Sequence, residues 1–222
     1  MNKKLLLKHL LEVEESFPKL HFKWSDDLKS AILHGDLDIC DKKGAYWDTF
    51  NIMVVVGSKY PFSVPVLIER SEKIPREDSR HISKEGVCCI DMDHKLLHEV
   101  RNGININEFL KNRVYPFFSN QLFFEENKEY ANGEWDHQFD GIKQFYDTEL
   151  NLGDPKLIVD LLTKILTNNL PTRNDKCICG STKHKLCHHM GSIEFLKRLP
   201  KSRLIKDLEG FKEVISPRNQ VA

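Results

Sequence analysis

The sequence predicts an α+β fold: an N-terminal helix, an antiparallel meander sheet of about four strands, C-terminal helices segregated from that sheet, and a small appended tail. The opening KKLLLKHLLEVEE places Leu6, Leu7, Leu10, Leu11 and Val13 at helical spacing, which argues an amphipathic helix packed on a domain. Between about 20 and 70 the chain is strand-like, with Phe50, Ile52, Val54 and Val56 alternating on one face and DKKG supplying hairpin chemistry. A polar, irregular stretch over 71–95 follows, and helical spacing returns at 105–128, 138–150 and 155–169.

The 222 residues are enough for one full domain and a smaller appendage. The expected division is a main domain over 1–150, a helix and linker over 151–171, and a tail over 172–222, because composition shifts sharply after LNLGDP. Lysine plus arginine equals aspartate plus glutamate, 33 against 33, so no global field points to nucleic acid or an acidic partner. Lys8 and the acids that follow break the N-terminal apolar run, which excludes a signal peptide or membrane span there. The expectation is a cytoplasmic protein, whose cysteines are catalytic, metal-binding or buried rather than disulfide-bonded.

The tail carries the most local signal. Cys177 and Cys179 flank one residue, Gly180 and Ser181 form a turn, and Cys187, His188 and His189 follow. Four soft or borderline donors can then close on one ion, and zinc suits them. The stretch RNDKCICGSTKHKLCHH resembles the SEC-C motif, a small zinc-binding appendage. That resemblance implies structural zinc on Cys177, Cys179, Cys187 and His188, with His189 the alternative because the interval from Cys179 to Cys187 is one residue short. Basic residues outnumber acids between 173 and 206, but CICGSTKHKLCHH has no aromatic platform for nucleic acid.

The stretch SRHISKEGVCCIDMD, over 79–93, sets Cys88 and Cys89 side by side near Gly86 and His81. A thiol in a polar loop beside a glycine is a place for a nucleophile, and the residues alone leave a packed thiol equally open. A metal here would need His81 and His94 as further ligands.

YPFSVPVLIER followed by RHISKEGVCCID resembles the ubiquitin-conjugating enzyme family. Tyr60, Pro61, Phe62 and Pro65 match its Tyr-Pro-Phe-x-x-Pro turn, and His81, Gly86, Cys89, Ile90 and Asp91 match the segment around its nucleophile. The resemblance covers about 150 residues and implies a UBC-like fold with catalytic Cys89, His81 and Asp91. Ile82 and Ser83 stand where the family has Pro-Asn, so its oxyanion donor is missing, and Ser83 is the candidate replacement. The interval of eight residues from His81 to Cys89, and GEWDHQFDGIKQFYDTEL with its His137, resemble the bacterial branch encoded in antiphage operons with cyclic-oligonucleotide signalling. That branch implies transfer of a protein C-terminus through a Cys89 thioester to a lysine, without a catalytic cofactor. It further implies as partners a carrier or target protein, a cyclic-nucleotide synthase, and an activating enzyme. Cys88, Ser83 and His137 are accessory candidates. The alternatives are an inactive adaptor of the same fold and a docking module centred on the zinc tail.

Overall fold

A computed structural model describes residues 2–131, 133–180 and 183–216. The chain forms two compact units, Met1–Glu134 and Trp135–Ala222.

In the first unit, helix α1 (Lys3–Ser16) begins where the Asn2 side chain accepts the Leu5 amide at 3.1 Å. Leu6, Leu10 and Val13 are buried, whereas Leu7 and Leu11 are 41% and 49% exposed, so the packed stripe is narrower than the leucine run. Strands β1 (Leu20–Trp24), β2 (Ala31–Cys40), β3 (Tyr46–Val56) and β4 (Val66–Glu69) form an antiparallel sheet in the order β1-β2-β3-β4. Its inner face carries the expected alternation, with Leu33, Leu37, Ile39, Phe50, Ile52, Val54 and Val56 at most 1% exposed. The β2–β3 ladder is longer than its neighbours. β1 pairs only with Ala31–Gly35 and β4 only with Ile52–Val55, so Asp36–Cys40 and Tyr46–Asn51 project as a two-stranded arm.

Helix α2 (Asp93–Glu99) leads to α3 (Ile106–Phe109), a π-helical turn over Leu110–Val114 and α4 (Tyr115–Asn127). Tyr60, after which the Pro61 peptide is cis, locks these helices to the sheet. Its buried hydroxyl accepts the Ile106 amide at 3.0 Å and lies 2.6 Å from Nδ1 of His9 on α1. Phe118 of α4 stacks on Phe50 at 4.5 Å, which closes the core over the sheet.

The second unit is helical: α5 (Gln138–Thr148), α6 (Pro155–Leu166), α7 (Met190–Lys197) and α8 (Lys201–Ile215). Ile158, Leu161 and Leu162 of α6 and Phe211 of α8 are at most 1% exposed, and the Tyr146 hydroxyl of α5 donates to buried Asp207 of α8 at 3.0 Å. The break between compact units therefore precedes α5, whereas the sequence suggested one near 151–171. The segment expected as a linker is a core helix, and α5 packs with the tail because Phe145 and Tyr146 contact Phe195 and Phe211. No helix among the described residues is long and apolar enough to cross a membrane.

Candidate functional site

The paired thiols occupy the end of a tight hairpin laid along β4. Ser83 N–H donates to Val87 at 2.9 Å, Gly86 N–H to Ser83 at 2.9 Å, and Cys88 N–H to Leu67 of β4 at 2.9 Å. At its base the Cys89 amide donates to the His81 carbonyl at 2.8 Å. Gly86 is required here: its φ is +83°, and a Cβ would lie 2.6 Å from the Glu69 carbonyl oxygen.

The extended backbone explains why two adjacent cysteines differ. Successive side chains point to opposite sides, so Cys88 enters the core at 8% exposure and Cys89 faces outward. Burial pushes the Cys88 thiol up to about 12, which makes it inert near neutrality. Cys89 is exposed but crowded by surrounding protein; lost hydration raises its thiol, and the carboxylates of Asp93 and Asp91 raise it further.

Asp91 is held rather than mobile. Its carboxylate accepts the Met92 amide at 2.7 Å and Arg113 Nη1 at 2.8 Å, while Arg113 Nη2 reaches Glu99 at 2.7 Å. His81 has φ +54° at the end of a 3₁₀ turn over Asp78–Arg80, and its Nε2 lies 3.1 Å from Glu134 Oε1. Its ring is 5.8 Å from Tyr130. These contacts give His81 a loop-shaping role. Ser83 does not stand ready as an oxyanion donor: its hydroxyl donates to Glu85 at 2.9 Å and accepts the Val87 amide at 3.2 Å. His137 is an exposed residue at the start of α5, in the second unit. His94 is buried in α2, and among the described residues neither it nor Cys88 and Cys89 join a group able to hold a metal.

Sequence reasoning missed the support beneath this loop. Arg80 is 5% exposed, and its guanidinium donates to Gln121 Oε1 at 3.0 and 2.8 Å, pairs with Glu125 and covers the Phe124 ring at 4.4 Å. Gln121 returns a bond from Nε2 to the Arg80 carbonyl at 3.0 Å. The loop that bears His81 is thereby anchored to α4. No local motif announces a pair separated by 41 residues in the chain.

In the second unit a knot of thiols and imidazoles forms where the tail motif lies. The ligand atoms of Cys179, Cys187, His188 and His189 all fall within 4.8 Å of one another, an arrangement able to hold a metal ion. The sulfurs of Cys179 and Cys187 are 3.6 Å apart, and Nδ1 of His189 is 3.8 Å from the Cys187 sulfur. Cys177 lies beside Cys187 but turns its sulfur to Nδ1 of buried His184 at 3.6 Å. Of the two candidate histidines His189 is buried and His188 exposed. Burial and the neighbouring thiols raise the Cys187 thiol, as expected where sulfurs crowd with no cation beside them. Ser181 lies outside the described residues.

No protein-family model, curated protein or solved structure matches the chain.

Proposed function

We propose that the first unit is a ubiquitin-conjugating-like transferase of the bacterial antiphage type, with Cys89 as its acyl-carrying thiol. The observation that carries this reading is the division of labour at the hairpin: Cys88 is sealed in the core and Cys89 is presented outward, its amide fixed by His81. The order of helix, meander sheet, loop and helices agrees with it.

In the reaction, the Cys89 thiolate attacks the thioester carbonyl of a carrier protein, forms a new C–S bond and expels the donor thiolate. A target amine then attacks the same carbonyl, so the C–N bond forms, the C–S bond breaks and Cys89 leaves as thiolate. The carboxylates of Asp91 and Asp93 stabilise a cationic amine approaching the thioester, the same interaction that disfavours a free thiolate. The target on this reading is a lysine of a cyclic-nucleotide synthase, and a cytoplasmic setting follows from that chemistry.

Zinc in the second unit completes the proposal. Three thiols and buried histidine nitrogens fit a tetrahedral sulfur and nitrogen site, in which the ion supplies folding energy. Cys179, Cys187 and His189 or His188 would hold it, with Cys177 the third thiolate.

A second reading, an inactive adaptor of the same fold, draws on two observations: Ser83 is committed to Glu85 and Val87, and the groups acting on the Cys89 thiol are carboxylates. Intact mass under non-reducing conditions, on protein purified from its native cells, separates the two. A protein-sized adduct that reductant removes, and that persists in Cys89→Ser as an oxyester, supports the transferase. No adduct in either form supports the adaptor.

A further inference from the structure

The β2–β3 arm ends in an aromatic tip that the chemistry at Cys89 does not use. Tyr46 is 61% exposed and Trp47 50% exposed, a costly arrangement for two large rings at adjacent positions. A break in register produces it: Cys40 pairs with Tyr46 and Ile39 with Asp48, so Trp47 is the extra residue of a β-bulge. Bulges re-aim side chains at sheet ends.

The arm is stiff where it presents these rings. The Tyr115 hydroxyl accepts the Cys40 amide at 2.7 Å and donates to the Cys40 carbonyl at 2.9 Å, while Lys73 Nζ donates to the Thr49 carbonyl at 2.8 Å. Both edges near the tip are thus occupied by side chains, and a further strand is not the natural guest.

Charge selects the partner. Each acid of the arm is already engaged: Asp38 pairs with Lys19 at 2.6 Å, Asp48 with Lys73 at 2.6 Å, and Asp41 accepts the Lys43 and Ala45 amides at 2.7 and 2.8 Å. Lys42 and Lys43 in the turn are exposed, and no ion pair involves either among the described residues. The tip therefore offers two large rings beside two uncompensated cations. Two lysines on a chain of zero net charge are too few to hold a phosphate backbone, which needs several neutralising contacts.

We infer that the tip formed by Lys42, Lys43, Tyr46 and Trp47 is a docking site for an acidic polypeptide segment bearing a large apolar side chain. The rings receive the apolar side chain and the lysines its flanking carboxylates. The inference does not depend on the acyl-transfer reading.

The test is fluorescence anisotropy with the full chain and a labelled acidic peptide, EEDLEEFDE, beside its glutamine-substituted neutral counterpart and an oligothymidylate. The expected result is binding of the acidic peptide alone, weakened about tenfold by Trp47→Ala and similarly by the Lys42→Glu, Lys43→Glu pair. Rising salt should weaken binding to the wild type. These positions are exposed, so the variants should retain the wild-type far-ultraviolet circular dichroism and Tm. Equal binding of both peptides, binding unchanged in the variants, no peptide binding, or oligothymidylate binding lost in the same variants would each overturn the inference.

Discussion

The amide of Cys89 is bound to the carbonyl of His81 at 2.8 Å, so two residues eight positions apart close the base of one hairpin. Because His81 also meets Glu134 and Tyr130 through its side chain, the backbone that aims the exposed thiol is fixed from both directions.

Reactivity of that thiol should reveal its carboxylate neighbours. Cys89 titrates above the ordinary cysteine value, so alkylation by iodoacetamide should keep rising through pH 9. Replacing Asp93 with asparagine removes a negative charge that opposes the thiolate, which lowers the thiol pKa. Alkylation at pH 8 should then quicken roughly two- to threefold. Cys88 should remain unlabelled in the folded protein, a point that peptide mapping checks directly.

Gly86→Ala should destabilise the first unit by about 2 kcal/mol or more, since it combines a positive φ with a backbone collision at Glu69. Urea denaturation monitored by far-ultraviolet circular dichroism measures this. Gly133→Ala is a useful contrast: it also has positive φ but meets nothing within 4 Å, so its loss should be smaller.

The buried Arg80–Gln121 pair invites a double-mutant cycle. Arg80→Ala should cost about 3 kcal/mol, because it vacates a site over Phe124 and leaves Gln121 and Glu125 without their donor. Gln121→Ala should cost less alone, and the double variant should fall short of the sum of the two. Purely additive losses would mean that the hydrogen-bonded geometry contributes little.

Metal content checks the second unit. Purified protein should carry about one zinc per chain, and a strong chelator should lower the apparent Tm of this unit. Cys187→Ser should abolish zinc retention, since its sulfur lies next to both Cys179 and His189. Between the histidines, His189→Ala should weaken zinc binding more than His188→Ala, because buried His189 is the better held donor.

Periodicity made much of this architecture legible. The alternation through Phe50–Val56 and the DKKG turn sufficed to place the long hairpin, since each depends on contacts between near neighbours in sequence. The thiol and imidazole knot was legible for the same reason: its donors lie within a single short stretch. Leu7 and Leu11 show the limit of the method, because helical spacing marks an apolar face but does not say how wide a face the sheet can cover. Arg80, Gln121 and Arg113 were invisible, as their roles arise only when distant segments meet. Trp47 was read as one more strand residue, and only the paired register reveals that it is surplus.

The π turn over Leu110–Val114 has a geometrical consequence for the helices that it joins. One residue of slack shifts helical phase by about 100°, so α3 and α4 present different azimuths to the body of the protein. Upstream, Ile106 and Phe109 bury near α1 and Tyr60; downstream, Tyr115 reaches the arm and Gln121 reaches Arg80. Deleting a single residue between Phe109 and Tyr115 would straighten the rod and rotate one set of anchors out of reach. Spacing here is thus constrained more tightly than composition: substitution within the turn is tolerable, and loss of a residue is not.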